Sequence, residues 1–235
     1  IGSQTRSPRE IPSCEADDTL WVNEPYYREA EYQFVELISA YGVEQDIAAV
    51  LFKTEMANLE LYGYGIKAFM LSLVECAIQL TNHAVTTQTI SGIIELGKSM
   101  LQRPIELLDD VKLVLEKLAP QYRLIVATKG DLLDQERKML RSGIASCFHH
   151  IEVMSDKKEE QYIQVLHHLD IQSKEFLMIG NSMKSDILPP LNLGAWAIHV
   201  PFHTTWAHEE VEGDPDVDRF YRVDLLHEVL QLIIH

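Results

Sequence analysis

The chain shows two different patterns of apolar and polar residues, which meet near residue 103. Before that point, apolar residues recur every three or four positions, as on one face of a helix. We predict four helices there, over 25–41, 44–59, 66–80 and 86–101. The first has a proline in its first turn and stops before Gly42, which are helix start and stop signals. This part is therefore predicted to be all-helical.

After residue 103, short apolar runs alternate with amphipathic stretches, a pattern typical of parallel strands joined by helices. The predicted strands cover 123–128, 150–154, 175–180 and 195–200. The predicted helices cover 109–118, 132–142, 159–169 and 225–234, with a short one near Asp186. The fold class we predict is α/β, a doubly wound, Rossmann-like parallel sheet with an inserted α-helical domain. In this prediction residues 1–22 and 103–235 form the α/β core, and residues 23–102 form the insertion.

The residues just before position 15 are a weak candidate for a central strand. Between Arg9 and Cys14 only Ile11 and Cys14 combine apolar character with a free N–H, because Pro12 has no N–H to donate. The sequence leaves open whether a strand forms here.

Composition limits the classes of function. With 235 residues, 46% of them hydrophobic, the chain can bury a sizeable core. Its formal net charge of −16 argues against a nucleic-acid or anionic-membrane surface, which needs a basic patch. Three cysteines far apart in sequence indicate free thiols in a reducing compartment, and no apolar run reaches the length of a membrane span. We expect a cytoplasmic protein, monomeric or homodimeric, that binds neither nucleic acid nor membrane.

Three acidic side chains crowd one short segment between Ser13 and Pro25. Glu15, Asp17 and Asp18 repel one another unless a cation, a donor-rich loop or solvent offsets their charge. Oxygen ligands on a short loop suit Mg²⁺. A solvated acidic loop is the alternative, and the segment alone does not decide between the two.

Polar residues follow the predicted strands at their C-terminal ends. In open parallel sheets, ligands bind just beyond that edge. The residues in these positions include Thr128 and Lys129, Lys157 and Lys158, and Asn181 and Asp186. Together with Glu15, Asp17 and Thr19, they are expected to converge on one crevice that can bind phosphate.

The acidic segment and the strand ends together resemble the four motifs of the haloacid dehalogenase superfamily. Glu15-Ala16-Asp17-Asp18-Thr19 resembles the first motif, Asp-x-Asp-x-Thr, with Glu15 in the place of the nucleophilic Asp. Thr128 and Lys157 match the second and third motifs. The stretch from Gly180 to Asp186 is similar to the fourth, Gly-Asp-Ser-x-x-x-Asp, with Asn181 in place of its first Asp. The helical block fits the inserted cap of that family.

The resemblance implies a Mg²⁺-dependent phosphatase that acts on a small phosphorylated metabolite through an acyl-phosphate intermediate. It implies catalytic roles for Glu15, Asp17, Thr128 and Lys157, substrate binding by Thr19, Thr128, Lys129 and Lys157, and metal ligation by Glu15, Asp17, Asn181 and Asp186. The cap is expected to close over the crevice and select the substrate. Because Glu carries its carboxylate roughly one methylene further than Asp, slow turnover is expected.

Two other functions stay open. One is a metal-independent 2-haloacid dehalogenase of the same fold, although a metal-free site has little need for Asp17 and for an acidic fourth motif. The other is a non-catalytic relative that binds a phosphorylated ligand, which the replacement at Glu15 favours.

Two further features carry weaker expectations. The ten histidines show no zinc-motif spacing, so the sequence predicts no zinc site. Trp206 and its neighbours His203 and His208 follow the last predicted strand, and we expect them to form a loop that packs on the core.

Overall fold

The computed structural model describes residues 11–211 and 213–234. The chain divides into two compact units. The sheet unit contains the described residues up to 24, 105–129 and 135 onward, and the helical unit contains 25–104 and 130–134. Residues 1–10, 212 and 235, which we assigned to the α/β core, lie outside the described residues. The role of the helical unit as a substrate-selecting cap stays a prediction.

Four helices build the helical unit, as the apolar spacing predicted. They are α1 Glu24–Ser39, α2 Ile47–Tyr62, α3 Ile66–Leu80 and α4 Thr87–Gln102. Each contributes fully or almost fully buried apolar side chains to one core, among them Phe34, Leu51, Leu73 and Ile93. Asp46 begins α2 by accepting a hydrogen bond from the backbone N–H of Ala49, at 3.1 Å. The α2 start therefore lies three residues later than predicted.

The sheet unit contains six parallel strands, so the predicted α/β fold class is confirmed. They are β1 Ile11–Cys14, β2 Ile125–Lys129, β3 His150–Met154, β4 Phe176–Gly180, β5 Trp196–His199 and β6 Phe220–Arg222. Their order across the sheet is β3-β2-β1-β4-β5-β6, which places β1 inside the sheet and β3 and β6 at its edges. β6 was not predicted, because a three-residue edge strand has no long apolar run.

Helices cover both faces of this sheet. They are α5 Val111–Leu118, α6 Leu132–Ser142, α7 Glu159–Leu169, α8 Leu188–Asn192 and α9 Val229–Ile233. Successive strand residues point to opposite faces. Val126 and Ile179 accordingly pack in one core with α5 and α9, whereas Ala127 and Met178 pack in another with α7. The closing helix is shorter than predicted, because a 3₁₀ turn, Leu226–Glu228, precedes α9.

The weak first strand forms in spite of Pro12. Glu15 donates its backbone N–H to Ile179 of β4, at 2.8 Å. Since N–H groups alternate in direction along a strand, those of odd-numbered residues face β4 and Pro12 faces β2. The pairing with β2 begins only at Ser13, opposite Ile125. The missing N–H of Pro12 therefore costs no hydrogen bond within the sheet.

Among the described residues, no helix combines the length and apolarity that crossing a bilayer would require.

Candidate active site

The candidate site begins where β1 ends. Glu15 directly follows Cys14, and its backbone N–H continues the pairing with β4. β1 lies between β2 and β4, so Glu15 stands at the carboxyl edge of the sheet with the ends of both neighbours beside it. Its side chain is nearly buried. This position is the place where ligands of open parallel sheets bind.

Three side chains from the neighbouring strand ends gather around the Glu15 carboxylate. The Thr128 hydroxyl donates to Glu15 Oε1 at 2.8 Å. The Lys157 ammonium contacts Glu15 Oε2 directly. The same ammonium lies 2.6 Å from Asp186 Oδ1. We call these four residues, Glu15, Thr128, Lys157 and Asp186, the Glu15 cluster. The structure thus brings together the residues predicted from the ends of β1, β2, β3 and β4.

The Lys157 side chain is fully buried between the two carboxylates. Burial lowers the pKa of Lys157 because it penalises the charged ammonium, and the negative charge of Asp186 opposes that shift. Two carboxylates share this one ammonium, so the cluster keeps a net negative charge when all three groups are ionised. A further cation would offset this net negative charge.

The loop after β4 presents Asp186 to Lys157 through a tight turn. Asp186 Oδ2 accepts the backbone N–H of Ser182 at 2.9 Å, and the Ser182 carbonyl accepts the N–H of Asp186 at 2.8 Å. The turn continues as a π-helical segment, Met183–Ile187. A Cβ at Gly180 would lie 2.4 Å from Asp186 Oδ2. A glycine is therefore needed at the end of β4 for Asp186 to reach the site.

Asp17 is held by a separate set of donors. Trp21 Nε1 donates to its Oδ1 at 2.8 Å, and Lys138 Nζ lies 3.1 Å from the same oxygen. Gln135 Nε2 donates to Oδ2 at 2.8 Å. The backbone N–H of Asp17 in turn donates to Glu15 Oε1 at 3.3 Å. Gln135 and Lys138 both belong to α6, and the sequence analysis did not identify either of them.

Thr19 and Asn181 join the first and fourth motifs. The Thr19 hydroxyl donates to Asn181 Oδ1 at 3.1 Å. The backbone carbonyl of Asn181 lies 2.9 Å from His199 Nε2, at the end of β5. Both predicted residues thus lie on the loops that carry Glu15 and Asp186.

Asp18, the third acid of the segment, has a structural task. Its backbone is left-handed, with φ of 60°, and its carboxylate accepts the backbone N–H groups of Asn23 and Glu24 at 2.8 to 3.1 Å. It therefore caps the start of α1. Burial raises the pKa of Asp18 to about 7, although the two backbone hydrogen bonds oppose the shift. The crowding of three acids is thus resolved partly by a helix cap.

A second cluster lies on the same loops. Lys129 Nζ lies 2.6 Å from Glu209 Oε1 and 2.9 Å from Ser185 Oγ. The hydroxyls of Ser182 and Ser185 both lie 2.5 Å from Glu209 Oε2. We call Lys129, Ser182, Ser185 and Glu209 the Glu209 cluster. The role of Lys129 as a phosphate ligand stays a prediction, and in this structure its ammonium neutralises Glu209.

Glu209 itself was missed by the sequence analysis. Burial alone would raise the pKa of Glu209, but the charge and hydrogen bond of Lys129 and the two serine hydroxyls lower it to about 2. Glu209 ends a 3₁₀ turn, Ala207–Glu209, in the segment that we expected to pack on the core around Trp206. Through Glu209, this segment contacts the Asp186 loop, and its packing on the core stays a prediction. A single acid on an irregular loop carries no periodic signal that would have revealed this.

The donors at the site fit a hard divalent cation such as Mg²⁺. The Glu15 and Asp186 carboxylates both contact the Lys157 ammonium and so lie close to each other, and Asn181 Oδ1 accepts one hydrogen bond and keeps a further lone pair. All these donors are oxygen atoms, which Mg²⁺ prefers. Lys157 offsets only one of the two carboxylate charges. The residues present therefore agree with the metal that the family resemblance implies.

Comparison with known proteins gives a consistent result. A family model described as haloacid dehalogenase-like hydrolase matches residues 16–194. A solved haloacid dehalogenase-like family hydrolase from Xanthomonas campestris has a TM-score of 0.84 at 35% identity, over 95% of this chain and 90% of that one. A 2-haloacid dehalogenase from Pseudomonas syringae pv. Tomato DC3000 has a TM-score of 0.65 at 17% identity, over 95% and 97%, a likeness of fold alone.

Among curated proteins, the chain is similar to N-acylneuraminate-9-phosphatase. The mouse protein is 32% identical over 104 residues, and the human protein 29% identical over the same length. The matched segment spans 42% of this chain and 42% of each relative. The chain thus matches less than half the length of these relatives.

Proposed function

Since the chain belongs to the haloacid dehalogenase-like hydrolase family, we propose that this enzyme is a Mg²⁺-dependent phosphatase of a small phosphorylated metabolite. One observation carries the proposal: Thr128 and Lys157 bind opposite oxygens of the Glu15 carboxylate, and Lys157 also binds Asp186. A carboxylate fixed in this way beside a buried cation is a nucleophile placed for phosphoryl transfer. The similarity to N-acylneuraminate-9-phosphatase supports a phosphomonoester substrate.

In the first step, a Glu15 carboxylate oxygen attacks the phosphorus atom of the substrate. A bond forms between that oxygen and phosphorus while the bond from phosphorus to the ester oxygen breaks. Asp17 gives its proton to the leaving oxygen, which departs as an alcohol. Trp21, Gln135 and Lys138 hold the Asp17 carboxylate in position for this transfer.

In the second step, water removes the phosphoryl group from Glu15. Asp17 takes a proton from the water while the water oxygen forms a bond to phosphorus. The bond from phosphorus to Glu15 breaks, which restores the carboxylate and releases inorganic phosphate. Throughout, the Lys157 ammonium and the Thr128 hydroxyl offset charge on the transferring group. Mg²⁺ held by Glu15, Asn181 and Asp186 would supply further positive charge there, whereas the Asp17 carboxyl, also a predicted ligand, carries the proton.

Glu15→Asp tests the nucleophile. With Mg²⁺ and a generic aryl phosphate, we expect the native chain to release phosphate slowly and Glu15→Asp to release it about a hundredfold faster. The shorter side chain corrects a misplacement of about 1 Å, which is enough for an effect of this size. Glu15→Gln keeps the length of Glu but has no anionic oxygen, so it is the matched control and should abolish turnover.

The alternatives give different outcomes in the same assays. A dehalogenase would release halide from a 2-haloacid in the presence of EDTA. A binding protein would be stabilised by Mg²⁺ and phosphate and show no turnover even as Glu15→Asp. If Glu15→Gln turned over as fast as the native chain, Glu15 would not be the nucleophile and the proposal would be wrong.

A further inference from the structure

A second group of possible metal ligands lies on the edge strand β3, away from the Glu15 cluster. His150 and Glu152 are two residues apart on this strand, so both side chains leave the same face of the sheet. α7 follows β3 and covers that face. His168, near the C-terminal end of α7, thereby reaches the start of β3. Neither His-x-Glu nor a lone histidine on a helix is a zinc motif, which is why the sequence did not predict this grouping.

The three side chains meet at one carboxylate oxygen. His150 Nε2 and His168 Nδ1 each lie 2.7 Å from Glu152 Oε1. The ligand atoms of the three residues all lie within 4.8 Å of one another. Two imidazole nitrogens and a carboxylate oxygen at these separations need shifts of only a fraction of an ångström to bind one ion at about 2.0–2.2 Å.

Hydrogen bonds behind His150 favour the tautomer that binds a metal. Arg123, which can only donate, lies 3.4 Å from His149 Nδ1, and His149 Nδ1 lies 2.8 Å from His150 Nδ1. His149 Nδ1 therefore accepts, and His150 donates from its own Nδ1. A neutral His150 then turns the lone pair of its Nε2 toward the Glu152 carboxylate. Two acceptors that face each other across 2.7 Å need a proton or a metal ion between them, so this tautomer leaves a place for a metal ion.

We propose that His150, Glu152 and His168 bind a borderline divalent transition-metal ion, of which Zn²⁺ is the best match. Two imidazoles and one carboxylate are a common zinc set, whereas Mg²⁺ takes oxygen ligands almost exclusively. His168 is 69% exposed, so a fourth ligand position opens to solvent. The hydrogen bond between His149 and His150 then fixes the orientation and tautomer of the His150 ring, as partners of metal-binding histidines commonly do.

This ion would join the start of β3 to the end of α7. It would lie at the amino end of β3, whereas the Glu15 cluster lies at the carboxyl ends of the strands. At about 3.3 Å per residue, His150 lies roughly 13 Å along β3 from its carboxyl end, beyond which Lys157 follows. A bound ion would therefore stabilise the sheet unit without entering the phosphatase site. Zn²⁺ would raise the thermal midpoint of unfolding by binding the folded chain alone.

Calorimetric titration of the zinc-free chain with Zn²⁺ tests the proposal. Excess Mg²⁺ is kept in the cell so that the oxygen donors around Glu15 are not the ones titrated. We expect one Zn²⁺ per chain and a rise in the thermal midpoint. His168→Ala should weaken Zn²⁺ binding at least about a hundredfold and abolish the thermal shift, because it removes one of three ligands. His168 is exposed, so this variant should fold.

His167→Ala is the matched control, since His167 is the exposed neighbour of His168 and takes no part in the cluster. It should bind Zn²⁺ as the native chain does. His149→Ala removes the hydrogen-bond partner of His150 and should weaken binding about ten- to a hundredfold. Co²⁺ in place of Zn²⁺ should give the visible absorption of a nitrogen-ligated tetrahedral ion, lost in His168→Ala. Equal Zn²⁺ affinity in the native chain and His168→Ala would overturn the proposal.

Discussion

The Glu15 cluster and the Glu209 cluster contain neighbouring residues of β2 but differ in their charge balance. Thr128 and Lys129 follow each other at the end of β2, so their side chains point to different sides and join different clusters. In the Glu15 cluster one fully buried lysine serves two carboxylates. In the Glu209 cluster one lysine and two hydroxyls serve a single carboxylate. The Glu15 cluster keeps a net negative charge, as a site that binds a cation and a substrate does. The charges of the Glu209 cluster cancel, as expected of a cluster that only stabilises the loop.

The two clusters meet in the loop after β4. Ser182 and Ser185 bind Glu209, and Asp186, in the same turn, binds Lys157. Tyr162 adds a hydrogen bond from its hydroxyl to the Ser185 carbonyl, at 3.0 Å. The Glu209 cluster therefore fixes the loop that presents Asp186. Loss of charge in the Glu15 cluster should lower activity directly. Loss of charge in the Glu209 cluster should lower it through the position of the loop.

The largest expected effect separates the two lysines. Lys157→Met should lower kcat/KM about a thousandfold, because it removes the charge that offsets the transferring phosphoryl group. Lys129→Met is the matched variant and should lower it by only about tenfold. Both are best measured in the Glu15→Asp background, where the rate is higher. Circular dichroism should verify that each variant folds, since unpaired buried carboxylates destabilise by about 3–5 kcal/mol. Equal losses would show that the clusters do not divide the work in this way.

The difference between the clusters also explains what could be predicted from the sequence. Thr128, Lys157 and Asp186 follow apolar strands, so the strand pattern and the edge rule placed them together. The four helices of the helical unit had strong apolar spacing and were predicted with small errors at their ends. Glu209, Gln135 and Lys138 act across long loops or from the polar face of a helix. Nothing local distinguishes them from other exposed polar residues.

β1 is the opposite case, in which the sequence argued against an element that the structure contains. Its composition argued against a strand, yet it forms inside the sheet. Whether Pro12 harms the strand depends on which neighbour its nitrogen faces and on where β2 begins, and both are properties of the register. Register is set by tertiary pairing and cannot be read from one strand alone.

The next effect is a dependence of stability on acid pH that comes from Glu209. Glu209 has a folded-state pKa of about 2, below its ordinary 4.5, so the unfolded chain binds more protons between these values. Its ionic contribution to stability is therefore present above about pH 4.5 and lost as the pH falls toward 2. That contribution is about 3 kcal/mol. The difference in unfolding free energy between the native chain and Glu209→Gln should shrink by about that amount across the window.

Urea titrations at several pH values measure this difference. Glu210→Gln is the control, because it removes the neighbouring acid and leaves every member of the Glu209 cluster in place. Its effect on the pH dependence of the unfolding free energy should be much smaller than that of Glu209→Gln. A constant difference for Glu209→Gln would mean that Lys129 and the serines do not hold the Glu209 carboxylate ionised.

The smallest expected effect tests how the two serines share Glu209. Ser185→Ala removes one hydroxyl from Glu209 Oε2 and the hydrogen bond that Lys129 donates to that hydroxyl. The Ser182 hydroxyl and the ion pair between Lys129 and Glu209 remain, so the variant should destabilise by about 1 kcal/mol. Ser182 has a further task, because its Oγ also accepts the backbone N–H of Ser185 at 3.0 Å. Ser182→Ala should therefore cost about 2 kcal/mol, a hydrogen bond and a cap together. Since the Ser182 hydroxyl binds both Glu209 and the backbone of the loop, the larger loss in Ser182→Ala should bring a larger fall in kcat/KM, through the position of Asp186. An equal loss of stability in the two variants would mean that the Ser182 cap adds nothing to the hold of the Glu209 cluster on the loop.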